Sequence, residues 1–388
     1  MLCLYMYKEC FGICMNCASK NKITVMHVVS GDLWAGAEVQ LFTLCKYLVR
    51  NGIEVVAVVM NHGELERRLT GIGVGVIVLD EGNNNIIQLL IKIMGIVRNI
   101  KPDMIHTHRT KENIVGGLAA WVFGISSIRT IHGGQEHHYK WYQVHRHFIR
   151  IIDTFIAKRV QDKIVAVSDD LGSELSFIYP KDKVIVIPNG VDNEIAINNI
   201  ESAPIYNDKV FHVGIVGRLV EVKRVDLYIK VAALFVSKYP EVEVKFHIFG
   251  EGPLKEELIE FTNKNGLSAK VMFEGQKLNI HDYIKSLDVM VMTSDHEGLP
   301  MSLLESMILQ TPVVAHDVGG ISEVCEHGKC CYLIKKGDVE SCAEALGMII
   351  KNREKTRRMI DRAKKRILSC YTAEMSACRY IDEYQHII

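Results

Sequence analysis

Two cations and two carboxylates carry the chemistry this sequence could perform. Arg218 and Lys223 close the stretch VFHVGIVGRLVEVK (210–223), just after an apolar run and Gly217. Glu297 and Glu305 stand in TSDHEGLPMSLLES (293–306) with seven residues between them, just after the apolar run Val289–Met292. Strands of a parallel sheet are buried on both faces, read as continuous apolar runs, and meet ligands beyond their carboxyl ends. Both stretches fall at such ends. A diphosphate asks for positive charge and backbone N–H donors. Arg218 offers a planar fork, Lys223 a point charge, and a helix opening near Met301 its free amides. Carboxylates accept hydrogen bonds from hydroxyls. Cations for phosphates beside carboxylates for hydroxyls describe a nucleotide sugar.

Each piece alone has a plainer reading, Arg218 and Lys223 as a solvated turn and Glu305 as an exposed helix residue. The recurrence of strand-end placement at both stretches favours a site. Gly217-Arg218-Leu219-Val220-Glu221-Val222-Lys223, with Glu297-Gly298-Leu299-Pro300 and then Glu305, resembles the donor motifs of the GT-B, family-4 retaining glycosyltransferases (glycosyl transferase group 1). The resemblance covers about residues 23–388. It implies an α/β chain of GT-B type, with two Rossmann-like domains facing across a central cleft. The second half would hold the nucleotide sugar and the first half the acceptor.

The elements that must position these groups follow from alternation. Residues 23–29, 53–60, 75–79, 103–106, 126–131 and 163–167 read as strands, with helical patterns at 63–71, 86–100, 114–123 and 169–178 between them. The second half repeats the pattern. Strands are expected at 210–216, 242–249, 271–274, 288–292 and 312–315, and helices at 224–238, 252–265, 279–286 and 338–369. This gives an extension over 1–22, a first domain over 23–192 joined by a terminal helix at 372–388, a linker over 193–209 and a second domain over 210–371.

By the resemblance, Gly36 in Ala35-Gly36-Ala37-Glu38 approaches the donor phosphates, although a family Gly-Gly pair is reduced here to one glycine. Gly250 and Gly275 end strands at the same edge as Gly217 and are expected to line the nucleotide pocket. Asp317-Val318-Gly319-Gly320-Ile321 is expected near the diphosphate, and Pro188-Asn189-Gly190-Val191-Asp192 resembles the interdomain turn. His132, at a strand end before Gly133, matches a position whose imidazole faces donor sugar and acceptor; a lone histidine is otherwise usually structural. In IHTHRTKEN, His106 reads as packed at the core edge, while His108, Arg109 and Lys111 read as facing the cleft. The basic, aromatic stretch 137–160, with its stripe Phe148, Ile151, Ile152 and Phe155, fits a helix on an anionic membrane or an amphipathic helix packed on the sheet. The stripe is read as packed, and the Tyr139–His147 end is left open.

Composition bounds the rest. The chain of 388 residues has 46 basic and 46 acidic side chains, so no net charge points to nucleic acid. No apolar stretch reaches the ~20 residues that span a bilayer. Eleven scattered cysteines suggest reduced thiols, hence a cytoplasmic protein, peripheral at the inner face of the plasma membrane if its acceptor is lipid-linked. Cys10, Cys14 and Cys17 lack a fourth ligand at zinc spacing, and Cys330–Cys331 read as core.

The resemblance implies a metal-independent, retaining transfer of a hexose from a nucleotide sugar, UDP-linked by preference, to a glycan or lipid-linked acceptor. Glu297, His132, Arg218 and Lys223 would be catalytic. Gly36, Gly217, Arg218, Lys223, Gly250, Gly275, Gly298, Leu299, Pro300 and Glu305 would bind the donor, with Glu297 on sugar hydroxyls and Glu305 on ribose. No Asp-x-Asp occurs, so cations and helix amides are expected to replace a divalent ion, and no cofactor is expected. Other classes are a nucleotide-sugar epimerase, which would consume a UDP-sugar without an acceptor, and a non-catalytic sugar-binding protein. A dinucleotide oxidoreductase is disfavoured because no G-x-G-x-x-G follows a strand.

Overall fold

The computed structural model describes residues 22–133, 144–197 and 209–388. Cys10, Cys14, Cys17, nearly all of the amino-terminal extension, the side chains of Tyr139–His147 and most of the 193–209 segment lie outside the described residues. The chain divides into two compact units, one running to Gly190 and completed by Thr372–Ile388, the other Val191–Tyr371.

The first unit is built on a seven-stranded parallel sheet. Its strands are β1 Thr24–Val29, β2 Glu54–Val59, β3 Gly75–Val78, β4 Met104–Thr107, β5 Ser126–Ile131, β6 Lys163–Ala166 and β7 Val184–Val186, in the order β3-β2-β1-β4-β5-β6-β7. The second carries β8 Phe211–Val216, β9 Val244–Phe249, β10 Val271–Gly275, β11 Val289–Met292, β12 Val313–His316 and β13 Tyr332–Ile334, in the order β10-β9-β8-β11-β12-β13. In each sheet the order reverses beside the first strand, between β1 and β4 and between β8 and β11. A doubly wound sheet opens its ligand crevice at such a point, outside the carboxyl ends of the strands.

Most strand side chains are buried, so helices pack over the faces of each sheet. Val213, Phe246, Val289 and Val314 pack with Tyr228, Phe235 and Leu346 in one core cluster. Val25, Val55 and Val165 pack with Leu41, Leu48 and the terminal-helix residues Ala377 and Tyr380 in another. The helix Ile86–Ile100 opens on a reciprocal cap between Asn85 and Gln88. The terminal helix Ala373–Ile387 belongs to the first unit, where Ser376 Oγ donates to Pro188 O at 2.9 Å.

The helix expected from Ile114 opens at Thr110, because Glu112 and Asn113 are buried with partners (Ser30, Asp153) that periodicity does not reveal. The segment 338–369 breaks at Asn352 into Val339–Lys351 and Arg353–Cys370. Within 193–209, Glu194–Ile197 forms one helical turn, opened by Asp192 Oδ1 accepting from Glu194 N at 3.0 Å. β7 and β13, each of three residues, are additional strands.

Two expectations are corrected. Cys325 and Cys331 are joined in a disulfide, so the thiols are not all free. Left-handed Glu326, His327 and Gly328 turn the chain back and bring their Cα atoms to 5.5 Å. The stripe of helix Val144–Arg159 does not pack as a whole, since Ile151 and Phe155 are 65% and 60% exposed. The buried face is instead fixed by Ile156, Ala157 and Asp153, whose carboxylate pairs with the fully buried Arg129 at 2.9 Å.

Candidate functional site

In the second unit the loops leaving β8 and β11 are stitched together beside the point where strand order reverses. Gly217 N donates to Phe249 O at 3.0 Å, and Asp295 N donates to Val222 O at 2.8 Å. Thr293 Oγ1 donates to the carbonyls of Lys223 and Arg224 at 3.1 and 2.9 Å. A Cβ at Gly250 would lie 1.9 Å from Gly217 O, so only glycine lets the β9 turn nest on the β8 turn. Gly319, with φ +53°, is required for the same reason, since its Cβ would lie 1.7 Å from Glu297 O.

These constraints bring Lys223 Nζ to 2.5 Å from Glu297 Oε1, which also accepts from Ser294 Oγ at 2.6 Å. The pair is partly sheltered, with the lysine side chain 23% and the glutamate 10% exposed. Both line one pocket with Gly217, Arg218 and Ser294 over a floor of Ile215 and Phe249. Arg218 is exposed, and its side chain makes no hydrogen bond or ion pair among the described residues. Gly298 O accepts from Gly320 N at 3.0 Å, Leu299 is buried, and Pro300 precedes the helix Met301–Ile308. Among the described residues no side chain caps that helix, and its first-turn amides have no i−4 acceptor, although Leu303 N bonds Pro300 O at 3.2 Å. Gly275, at the end of β10, has φ +69° and accepts from Gly250 N at 2.9 Å.

Glu305 lies on that helix, 5% exposed, and its partner is His281, with Nε2 to Oε1 at 3.3 Å. Sequence reasoning paired neither residue with the other. It also missed Arg224, which grips Asp226 through two nitrogens at 2.9 and 3.0 Å and reaches Asp295 at 3.3 Å, while Lys336 holds Asp295 at 3.5 Å. The one available signal was Asp295 standing two residues before Glu297 at a strand end.

In the first unit, Gly36 opens the helix Gly36–Arg50 with open space beside its Cα. Buried Glu38 pairs with Arg109, which also reaches Asp32 at 3.3 Å. Burial pushes the Glu38 carboxyl up, against the pull of Arg109. Lys111 pairs with Glu81. His106 is fully buried between Tyr384 OH at 2.7 Å and Thr130 Oγ1 at 2.8 Å. His108 is buried too, against its expected exposure, because both ring nitrogens are held, Nε2 by His27 Nδ1 at 3.2 Å and Nδ1 by His132 Nε2 at 3.3 Å. Burial pushes the His27 imidazole down to about 3, and burial with the nearby Arg109 charge does the same to His132.

Comparison with known proteins agrees with this layout. The family described as "Glycosyltransferase Family 4" matches residues 34–195, and "Glycosyl transferases group 1" matches 197–366. The poly(ribitol-phosphate) alpha-N-acetylglucosaminyltransferase of Staphylococcus aureus is 32% identical over 47% of this chain and 38% of its own length. The chain thus spans well under half of that relative. The UDP-Gal:alpha-D-GlcNAc-diphosphoundecaprenol alpha-1,3-galactosyltransferase of Escherichia coli is 26% identical over 66% of this chain and 68% of its own. Among solved structures, Anabaena Alr3699/HepE in complex with UDP-glucose superposes with a TM-score of 0.81 at 20% identity, covering 94% of this chain and all of that one, a likeness of fold. No helix among the described residues is long and apolar enough to cross a membrane.

The His281–Glu305 pair yields a signed pH dependence. Burial lowers the affinity of His281 for its proton, but the Glu305 carboxylate outweighs this and the folded pKa is raised. Stabilisation is then full below the ordinary histidine value and fades as pH rises through the higher folded one. The melting-temperature advantage of the native chain over His281→Gln is therefore greatest just below the ordinary histidine value of about 6.5 and shrinks as pH rises above it. A gap independent of pH contradicts the pairing.

Proposed function

The chain belongs to the family-4 glycosyltransferases of GT-B fold, and from that premise we propose that it moves a hexose from a UDP-sugar to a glycan or lipid-linked acceptor, with retention of configuration. The observation that carries the reading is the contact of Lys223 with Glu297 inside one pocket that also holds Arg218. In the free protein each ion is the other's counter-charge. A nucleoside diphosphate takes over Lys223 and Arg218, and the released Glu297 accepts from donor-sugar hydroxyls. Gly217, Gly250 and Gly275 give the nucleotide a floor of backbone. Gly298, Leu299 and Pro300 lead to the amides of the helix Met301–Ile308, which faces its positive end to the phosphates, and Glu305 takes the ribose. Gly36 and His132 of the first unit are assigned to the phosphates and to the acceptor side.

The difficult event is departure of the diphosphate as positive charge grows on the anomeric carbon. Preorganised cations and amides meet the negative charge the departing diphosphate carries away, without a divalent ion, each group contributing about 3 kcal/mol by analogy with other oxyanion donors. Front-face attack, in which the departing phosphate accepts the acceptor's proton, accounts for retention without a covalent glycosyl–glutamate. The UDP-sugar named for the Escherichia coli relative and the UDP-glucose bound by HepE support a UDP donor. The diphosphoundecaprenol acceptor of that relative supports a lipid-linked acceptor and work in cell-surface polysaccharide synthesis. Exposed Trp121 and Val122, with Ile151 and Phe155 on the neighbouring helix, supply apolar side chains for peripheral contact with an anionic membrane.

A thermal-shift series with UDP-, GDP- and ADP-sugars in EDTA should show stabilisation by UDP-sugars above all, worth about 2.7 kcal/mol at a hundredfold excess over Kd. Lys223→Ala and Glu297→Ala should each cut transfer by roughly 10²–10³-fold with an unchanged circular dichroism spectrum. Native turnover in either variant, or a strict need for manganese or magnesium, contradicts the assignment. For the membrane, Ile151→Glu with Phe155→Glu should abolish sedimentation with phosphatidylglycerol vesicles while donor binding is kept; equal sedimentation removes the contact.

A further inference from the structure

Three histidines of the first unit form a hydrogen-bonded row across the carboxyl edge of its sheet. His27 is in β1, His108 follows β4 and His132 follows β5, so the row crosses the place where strand order reverses. The bridges are His27 Nδ1 to His108 Nε2 at 3.2 Å and His108 Nδ1 to His132 Nε2 at 3.3 Å. His106 stacks on His108 with ring centroids 4.4 Å apart, but its own nitrogens are taken by Tyr384 and Thr130. Among the described residues no carboxylate bonds any nitrogen of the row, and Arg109 is the charged neighbour whose field acts on both His108 and His132. Ring nitrogens of His27, His106 and His108 lie within 4.8 Å of one another, a spacing a metal ion could use. Those of His106 and His108 already have partners, so a metal would have to break a hydrogen bond at each of them to bind both.

Neutral imidazole carries one proton on one nitrogen. Two bridges among three neutral rings therefore allow two arrangements, every proton on Nδ1 or every proton on Nε2. The nitrogen left over inside the protein decides between them. His27 Nε2 is buried and has no hydrogen-bond partner among the described residues. With every proton on Nε2, it would be an orphaned N–H in the core, which folded proteins avoid more strictly than an idle acceptor. With every proton on Nδ1, the unspent N–H belongs to His132, which is only partly buried.

We propose that His27 and His108 are positioning residues that hold His132 as the Nδ1–H tautomer, so that it meets its ligand as a neutral hydrogen-bond donor and never as a general base. The consequence for transfer rests on the acceptor-side assignment of His132; the tautomer itself is a property of the free protein. A donor there can orient an acceptor oxygen or a sugar hydroxyl, and the acceptor's proton must leave by another route, as front-face attack requires. Burial keeps the row uncharged, since ionising any ring would place an unpaired cation among buried groups.

Histidine-selective ¹⁵N labelling and long-range ¹H–¹⁵N correlation at neutral pH distinguish the two ring nitrogens, with the His132 signals identified by their loss in His132→Gln. The expected spectrum shows a protonated Nδ1 and a bare Nε2 on His132. In His108→Phe, which keeps the ring stack, His132 loses the partner that fixes its proton and should populate both tautomers. Its kcat should fall several-fold with donor KM unchanged. A proton on Nε2 of His132 in the native protein overturns the proposal, and that spectrum decides even if His108→Phe does not fold. An unaltered His132 tautomer in folded His108→Phe also overturns it. The expected spectra with unaltered kcat would leave the tautomer standing and remove only the acceptor-side role of His132.

Discussion

The ion pair between Lys223 and Glu297 is the constraint on which the proposed donor site depends. The two residues come from different loops of one sheet, and nothing local to either loop would hold them at 2.5 Å. What does so is backbone. Thr293 and Asp295 bond the carbonyls of Lys223, Arg224 and Val222, and glycines at 250 and 319 let neighbouring turns lie closer than any side chain would allow. Partial burial matters to the chemistry. A fully exposed pair would contribute little and a fully buried one could not open, whereas a half-sheltered pair keeps its cation placed and available.

Both units use the same architecture to gather chemistry. A parallel sheet aims all its carboxyl ends one way, so residues far apart in sequence meet at one edge. In the second unit that edge collects cations, carboxylates and unspent amides. In the first it collects histidines kept neutral by burial, flanked by the Arg109–Glu38 pair. The contrast fits a division of labour, with charge where a diphosphate would lie and directed neutral hydrogen bonds where hydroxyls would.

The alternation of apolar runs with amphipathic stretches made the two sheets legible, since strands buried on both faces leave a strong signal. Three-residue β7 and β13 are too short to leave one. Lys223 and Glu297 were legible as neighbours at one sheet edge because motif and strand-end position coincide. Their direct contact was not, because it depends on loop hydrogen bonds made by Thr293 and Ser294. His108 was misplaced for a related reason. A polar run after a strand usually faces solvent, yet here both ring nitrogens of His108 find another histidine, so that side chain is buried with neither left unbonded. The Cys325–Cys331 bond depends on left-handed residues at 326 and 327, which the residue types do not announce. His281 beside Glu305 lay outside any motif.

Calorimetric titration of UDP alone, without a sugar, into the native chain and into Glu297→Gln tests most directly whether Lys223 is held in reserve for a diphosphate. Removing the carboxylate's charge frees the lysine without touching any group that would bind UDP. The account predicts tighter UDP binding by Glu297→Gln than by the native protein. Equal or weaker binding would show that the pair is a structural strut and that the diphosphate lies elsewhere.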